Sequence, residues 1–287
     1  MSLTLEQGIS SFNKKFLLLV FINSVEVKSC DGGEEMRFVD CKTVGSSLPI
    51  FLKGGEVGVL FVHGFTGSPH DFTYVAEKVH EAGFTVSVPR LPGHGTCGED
   101  FLTSDARDWL RRAFDAYYDL KAICREVHIA GLSMGGVIAI ILASVLKPRK
   151  LITLAAATHT RSNRIKLAWL VGLFKDRIPK QNVQPLEDPD MEFLNREYWS
   201  YEWPKQAAEL YKLIRMSRKA VKQIVSDTLV IAARNDELVP LEAAQFIYNN
   251  VQSERRKLLI FEKSGHVLTN DVEKEAVAEA IVNWLIS

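Results

Sequence analysis

The sequence predicts an α/β protein, with a mostly parallel central sheet, helices on both faces and a helical segment inserted late in the chain. Three observations predict it. Apolar runs of strand length alternate with stretches whose apolar residues recur at helical spacing, the pattern of successive βαβ units. Runs such as Val57–Val62 are continuously apolar rather than alternating, as strands covered on both faces are. From about residue 158 to 226 the alternation stops, leaving patches rich in Leu, Trp and Tyr without a strand pattern.

Taken in order, Leu48–Leu52 and Arg37–Val39 read as edge strands, and Val57–Val62 as the first core strand. Ser68 is then a plausible N-cap with Pro69 at the first helical position, and Phe72, Val75, Ala76 and Val79 mark one helical face. Phe84–Val88 is a strand ending in the loop Leu91–Thr96, followed by a helix from about Ser104 to Lys121 with Trp109, Leu110, Ala113, Tyr117 and Leu120 at helical spacing. Val127–Ala130 is a short strand and Met134–Leu146 an almost wholly apolar helix. Leu151–Ala155, Thr228–Ala233 and Leu258–Phe261 complete the strands, and a helix bearing Val277, Ile281 and Trp284 ends the chain. The organisation expected is therefore an N-terminal extension over 1–50, a core over 51–157 and 227–287, and a cap over 158–226 with helical patches at Ile165–Phe174 and Tyr198–Trp203.

Composition narrows the function classes. The 35 basic and 35 acidic residues balance to net zero and are well mixed, which argues against the clustered positive charge of a nucleic-acid footprint. Cys30, Cys41, Cys97 and Cys124 show no C-x-x-C spacing and no Cys/His cluster, so neither a metal site nor a disulfide framework is indicated. Lys14-Lys15 ahead of Phe16–Ile22 superficially resembles the start of a secretion signal. The run is far shorter than the roughly 20 residues that span a bilayer. No A-x-A-like site follows, and Lys28 beside Ser29-Cys30 spoils a lipoprotein-type cleavage site. A cytoplasmic location is expected, with secretion as the alternative if residues 14–30 act as a signal.

The chemistry centres on Gly131-Leu-Ser-Met-Gly135, a match to G-x-S-x-G, in which a nucleophile occupies a tight strand-to-helix turn. Glycines flank the serine because only residues lacking a β-carbon let neighbouring segments close in. The helix beyond it aims free N–H groups and a partial positive charge at the place where an oxyanion would form. The pentapeptide alone is weak, since a Gly-rich turn with a capping serine looks the same, so the decision rests on a base, an acid and a second oxyanion donor.

Seven histidines compete to be the base. His80 and His128 fall inside a helix and a strand, His70 and His159 near element ends, and His63 and His94 in Gly loops where an imidazole tends to brace the backbone. His266 follows the last strand after a short turn, so its ring would emerge at the same sheet edge as Ser133 and could take the hydroxyl proton. Asp236, just past the strand ending at Ala233, can accept the other imidazole N–H. Glu237 should point away, and Asp271 is expected to cap the last helix. The oxyanion donors expected are the N–H groups of Phe65 and Met134. His63, Gly64, Trp169, Leu170 and Leu173 are candidate substrate contacts.

Together, His63-Gly-Phe-Thr-Gly-Ser-Pro69, Leu91-Pro-Gly-His-Gly95, Gly131-Leu-Ser-Met-Gly-Gly136, Ala233-Arg-Asn-Asp236 and Ser264-Gly-His-Val267 resemble bacterial carboxylesterases and monoacylglycerol lipases of the α/β-hydrolase superfamily. The resemblance runs from about residue 55 to the C-terminus and is weakest in the cap. It implies an α/β-hydrolase fold, Ser133 as nucleophile, Asp236 as acid, His266 as base, Phe65 and Met134 as oxyanion donors, and cofactor-free hydrolysis of carboxylic esters. The fifty or so residues before the first core strand depart from the family's pattern. The substrate expected is a small-molecule acyl ester or acylglycerol of medium or long chain, with transient contact between the cap and a lipid interface. A thioesterase, peptidase or carbon–carbon hydrolase on the same scaffold, or a ligand-binding protein without turnover, are the alternatives.

Overall fold

The computed structural model describes residues 43–181 and 183–287. The expected strand at Arg37–Val39, the apolar run Phe16–Ile22 and most of the N-terminal extension lie outside these residues.

The strands are β1 (Ile50–Leu52), β2 (Val57–Val62), β3 (Thr85–Val88), β4 (Glu126–Leu132), β5 (Lys150–Leu154), β6 (Ile178–Pro179), β7 (Tyr201–Glu202), β8 (Asp227–Ala233) and β9 (Arg256–Phe261). Seven of them form one sheet in the order β1-β3-β2-β4-β5-β8-β9, and every pairing in it is parallel except β1 with β3. The α/β-hydrolase fold expected from the sequence is the fold observed. The chain winds from β2 outward to β3, then returns to place β4 on β2's other side. That reversal opens a crevice beyond the carboxyl ends of β2 and β4, where open α/β sheets bind ligands.

Period-two alternation along each buried strand supplies two cores at once. Leu60, Val62, Ile129, Leu151 and Val230 face one core together with the helices Ala106–Ile123 and Met134–Leu146. Val59, Phe61, Ala130, Ile152, Leu229 and Ile231 face the other, against Thr73–Glu81 and Lys274–Ile286. The helix Met134–Leu146 has ten buried residues from Met134 to Ala143, which explains why it is apolar all round. Lys150, at the start of β5, is only 3 % exposed and sends its ammonium to the carbonyls of Trp284 (2.8 Å) and Leu285 (2.7 Å) at the end of the last helix.

Several boundaries differ from expectation. Pro69–Phe72 is a 3-10 turn ahead of the α-helix Thr73–Glu81, and Ser68 makes no side-chain capping bond. The long helix begins at Ala106 because Asp105 caps it, accepting from Arg107 and Asp108 while Asp108 reaches back to the Asp105 N–H. A short helix, Gly98–Thr103, had no readable period.

Residues 158–226 are not wholly helical. Tyr198–Trp203, expected as helix, passes from a π turn over Asn195–Trp199 into β7, which pairs with β6. Aromatic residues fit either structure, so periodicity over so short a stretch does not discriminate. Ile165–Phe174 is helical, as a 3-10 turn followed by Ala168–Gly172. No helix among the described residues is long and apolar enough to cross a membrane.

Candidate active site

Ser133 terminates β4 and starts the next helix with φ 56° and ψ −114°, a region that costs a non-glycine residue of the order of 1–3 kcal/mol. Its surroundings hold it there. The Ser133 N–H donates to Leu154 O (2.9 Å), and its carbonyl accepts from Val137 (3.2 Å) and Ala157 (3.2 Å). A β-carbon on Gly135 would collide with the Val62 carbonyl, and one on Gly131 with the Gly135 carbonyl. Backbone is passing backbone at both positions, so the glycines of the motif are steric requirements.

The three residues picked from the sequence meet. His266 Nε2 lies 2.8 Å from Ser133 Oγ, and His266 Nδ1 lies 2.7 Å from Asp236 Oδ2. With the carboxylate on Nδ1, the proton belongs there and Nε2 is left to accept from the serine hydroxyl. Asp236 is 2 % exposed, and its other oxygen accepts the N–H groups of Leu238 and Val239 at 2.8 Å each. Glu237 is exposed, as expected.

Loops tie the acid and base together. Asn235 Nδ2 donates to the carbonyls of Glu262 (3.1 Å) and Lys263 (3.2 Å), and Arg234 pairs with Glu262 through two bonds of 3.0 Å. Beyond β9, Glu273 accepts from the Lys263 N–H, the Ser264 N–H and the Ser264 hydroxyl at 2.8–2.9 Å. Asp271 accepts from the Gly265 N–H at 2.6 Å. This corrects the reading of Asp271 as a helix cap: the helix starts at Lys274 with Glu273 before it, and the Asp271 carboxylate instead braces the loop that carries His266. Arg161 was also missed. Its Nε donates to the Asp236 carbonyl (2.9 Å) and its N–H to the Leu238 carbonyl (3.0 Å), joining residues 158–226 to the acid loop. Neither role leaves a sequence signal, because both depend on contacts between distant segments.

Facing Ser133 is the loop after β2. An added β-carbon on Gly64 would lie 3.4 Å from Ser133 Cβ and 4.0 Å from Oγ, so this loop passes directly over the nucleophile. Gly64 to Gly67 form a turn closed by the Gly67 N–H to the Gly64 carbonyl (3.2 Å), with Thr66 at φ 56°. The Phe65 N–H has no protein acceptor among the described residues. Met134, the first residue of its helix, carries an N–H that helix geometry leaves without an intrahelical acceptor. These are the two amides expected to receive negative charge.

His63, a candidate substrate contact, is engaged in bracing the loops around it. It is fully buried, its Nε2 accepts the Leu91 N–H (3.1 Å), and its Nδ1 therefore holds the proton and donates to the Gly64 carbonyl (3.0 Å). Burial pushes its pKa down to about 4, keeping it neutral. Trp169, Leu170 and Leu173 are 58 %, 45 % and 67 % exposed, so they face outward rather than lining an enclosed acyl pocket. The cause is local. Ala168 and Gly172, one helical turn apart, form the buried face of that short helix, with Gly172 packed on Lys205, and the large side chains are turned to solvent.

Buried imidazoles also set the response to acid. Burial lowers His63 and His128 to about 4 and His94 well below its ordinary value, while Asp71 is raised by burial to about 7. Each histidine binds its proton in the unfolded chain near pH 6.5 but not in the folded one, so the stability it contributes is lost as pH falls from about 6.5 toward 4. Asp71 works the other way, taking a proton in the folded state first. His70 and His159, also lowered by burial, add to the three, and five imidazoles against one carboxyl give a net loss. The midpoint of thermal unfolding is expected to fall between pH 7.5 and pH 5, and to fall further in Asp71→Asn; a midpoint unchanged over that range would contradict it.

A family model described as the alpha/beta hydrolase family matches residues 59–280. The chain belongs to the alpha/beta hydrolase family. This hydrolase is 30 % identical over 240 residues to a carboxylesterase of Bacillus subtilis (strain 168), covering 83 % of the chain and 95 % of the relative. It is 31 % identical over 234 residues to the thermostable monoacylglycerol lipase of Bacillus sp. (strain H-257), covering 80 % of the chain and 91 % of that lipase. Among solved structures, one from the work on the metagenome-derived lipolytic enzymes LipS and LipT superposes with a TM-score of 0.76 at 27 % identity, covering 85 % of the hydrolase and 99 % of that chain. The monoacylglycerol lipase of Paleococcus ferrophilus gives a TM-score of 0.68 at 18 % identity over 83 % and 97 % of the two chains, a likeness of fold.

Proposed function

We propose that this hydrolase cleaves carboxylic esters through an acyl-enzyme, with Ser133 as nucleophile, His266 as base and Asp236 as the acid that orients it. The observation that carries the proposal is the unbroken hydrogen-bond line from Ser133 Oγ through both ring nitrogens of His266 to Asp236. Ser133 attacks the ester carbonyl as its proton passes to Nε2. The Asp236 carboxylate stabilises the imidazolium, and the Phe65 and Met134 amides receive the oxyanion. His266 then protonates the leaving alcohol and draws a proton from the water that releases the acid.

Residues 158–226 act as a cap in this reading, and the substrate is a medium- or long-chain acyl ester or acylglycerol. Support comes from the relatives, one a carboxylesterase and one a monoacylglycerol lipase, and from the cap's surface. Trp169, Leu170, Leu173 and Phe174 (82 % exposed) stand beside the exposed cations Arg164, Lys166 and Lys175, a composition suited to transient contact with a lipid interface. The test is a chain-length series of p-nitrophenyl esters and monoacylglycerols, each as monomers and in phospholipid vesicles. Decanoyl substrates should exceed acetyl ones in kcat/KM by at least about tenfold, since each buried methylene contributes up to about 0.8 kcal/mol, and vesicles should raise the rate on monoacylglycerols. A maximum at acetate would overturn the chain-length assignment, and indifference to vesicles the interfacial one.

A further inference from the structure

Resting on the oxyanion role proposed above for Phe65, we propose that Trp199, from the inserted segment, is a positioning residue for that donor, acting through a relay of two peptide groups. The links are continuous. Trp199 Nε1–H donates to the Thr66 carbonyl at 3.0 Å. The peptide carrying that carbonyl carries the Gly67 N–H at its other end, which donates to the Gly64 carbonyl at 3.2 Å. The peptide carrying the Gly64 carbonyl ends in the Phe65 N–H. Because the C=O and N–H of a trans peptide are antiparallel, fixing the oxygen fixes the direction of the hydrogen. Each accepted bond also polarises the group behind it. The indole therefore both aims and strengthens the amide expected to meet the oxyanion.

The turn needs such an anchor. Thr66 sits at φ 56°, where a β-branched residue is a genuine outlier and glycine would be preferred. A strained turn persists only when its surroundings over-determine it. Within the core, His63 Nδ1–H holds the Gly64 carbonyl at 3.0 Å, and the Thr66 hydroxyl bonds the Phe65 carbonyl at 2.7 Å. Both act on the first half of the turn, whereas the Thr66 carbonyl in its second half is held by Trp199. The segment bearing Trp199 is itself fixed. The neighbouring Tyr198 hydroxyl, 1 % exposed as a residue, accepts the Thr96 N–H (2.8 Å) and lies 3.0 Å from the Gly93 carbonyl, and Trp203 Nε1 donates to the Tyr198 carbonyl (2.9 Å). The inserted segment thus reaches the reaction centre through a main-chain relay, apart from any contact it makes with substrate.

The test is Trp199→Phe, which removes the N–H and keeps an aromatic ring, measured beside wild type and Ser133→Ala on a p-nitrophenyl ester. Losing an oxyanion donor outright costs about 10²–10³ in kcat; mis-aiming one should cost about 5- to 20-fold. The loss should fall on kcat, with KM within about twofold. Affinity for a trifluoromethyl ketone, which forms an oxyanion adduct on the serine, should weaken by the same factor, and affinity for the matching methyl ketone should not. A benzothienyl side chain in place of the indole, which swaps N–H for sulfur at nearly constant shape, should reproduce the defect if Trp199→Phe folds poorly. Wild-type kcat in either variant, or equal weakening of both ketones, would overturn the relay. Turnover surviving in Ser133→Ala would instead overturn the mechanism beneath it.

Discussion

Ser133→Ala is expected to lower kcat on a p-nitrophenyl acyl ester by roughly four to six orders of magnitude while KM stays within a few-fold of wild type. In the proposed mechanism the hydroxyl is the atom that bonds to the carbonyl, and with it gone His266 Nε2 loses the partner now at 2.8 Å. What survives is the binding site and the Phe65 and Met134 amides proposed as oxyanion donors, which would still favour attack by water. Loss of three or more orders in kcat therefore separates a nucleophile from a capping serine, whose removal would cost stability and not the chemical step. The variant should fold, since the strained φ of 56° is held by backbone bonds to Leu154, Val137 and Ala157 that alanine retains. A folded variant turning over at near wild-type rate would contradict the acyl-enzyme.

Asp236→Asn should be the second largest effect, about 10⁴ in kcat, and the structure dictates why. Two backbone N–H groups, Leu238 and Val239, point at Oδ1 and require an acceptor. An asparagine must place its carbonyl oxygen there, which turns its NH₂ toward His266 Nδ1. That nitrogen must then accept, the proton moves to Nε2, and Nε2 can no longer take the serine proton. The fold should survive, because the turn keeps both of its bonds. Circular dichroism and the unfolding midpoint should match wild type while activity collapses. Asp236→Ala is the contrast: it loses the acceptor as well, so stability falls along with activity. An asparagine variant that keeps more than about a tenth of wild-type kcat would mean the carboxylate does not set the tautomer.

Much of this arrangement is legible in the sequence, for identifiable reasons. Strands buried on both faces are continuous apolar runs, so β2, β4, β5 and β8 stand out, while β9 is a half-exposed edge strand whose apolar run Leu258–Phe261 is still readable. The G-x-S-x-G turn, with Asp236 and His266 each just past a later strand, follows from the rule that parallel strands deliver their carboxyl ends to one edge. What was not legible depends on contacts between segments far apart in sequence. Arg161 on the Asp236 carbonyl, Glu273 and Asp271 on the His266 loop, and Trp199 on Thr66 leave no periodicity. The outward turn of Trp169, Leu170 and Leu173 follows from Ala168 and Gly172, whose small size was the overlooked signal. Tyr198–Trp203 misled because aromatic residues suit a strand as readily as a helix.

Lys150 limits how the C-terminus can be engineered. Its side chain is buried, and its hydrogen bonds go to the carbonyls at the tail of a helix 134 and 135 positions later, with the Asp227 and Glu126 carboxylates acting on it from further off. Trimming the chain from Trp284 onward would remove both acceptors and leave a buried ammonium without its hydrogen-bond partners, a cost added to that of the apolar side chains lost with it. Residues added beyond Ser287 leave those carbonyls in place, whereas deletions reaching back to Trp284 do not.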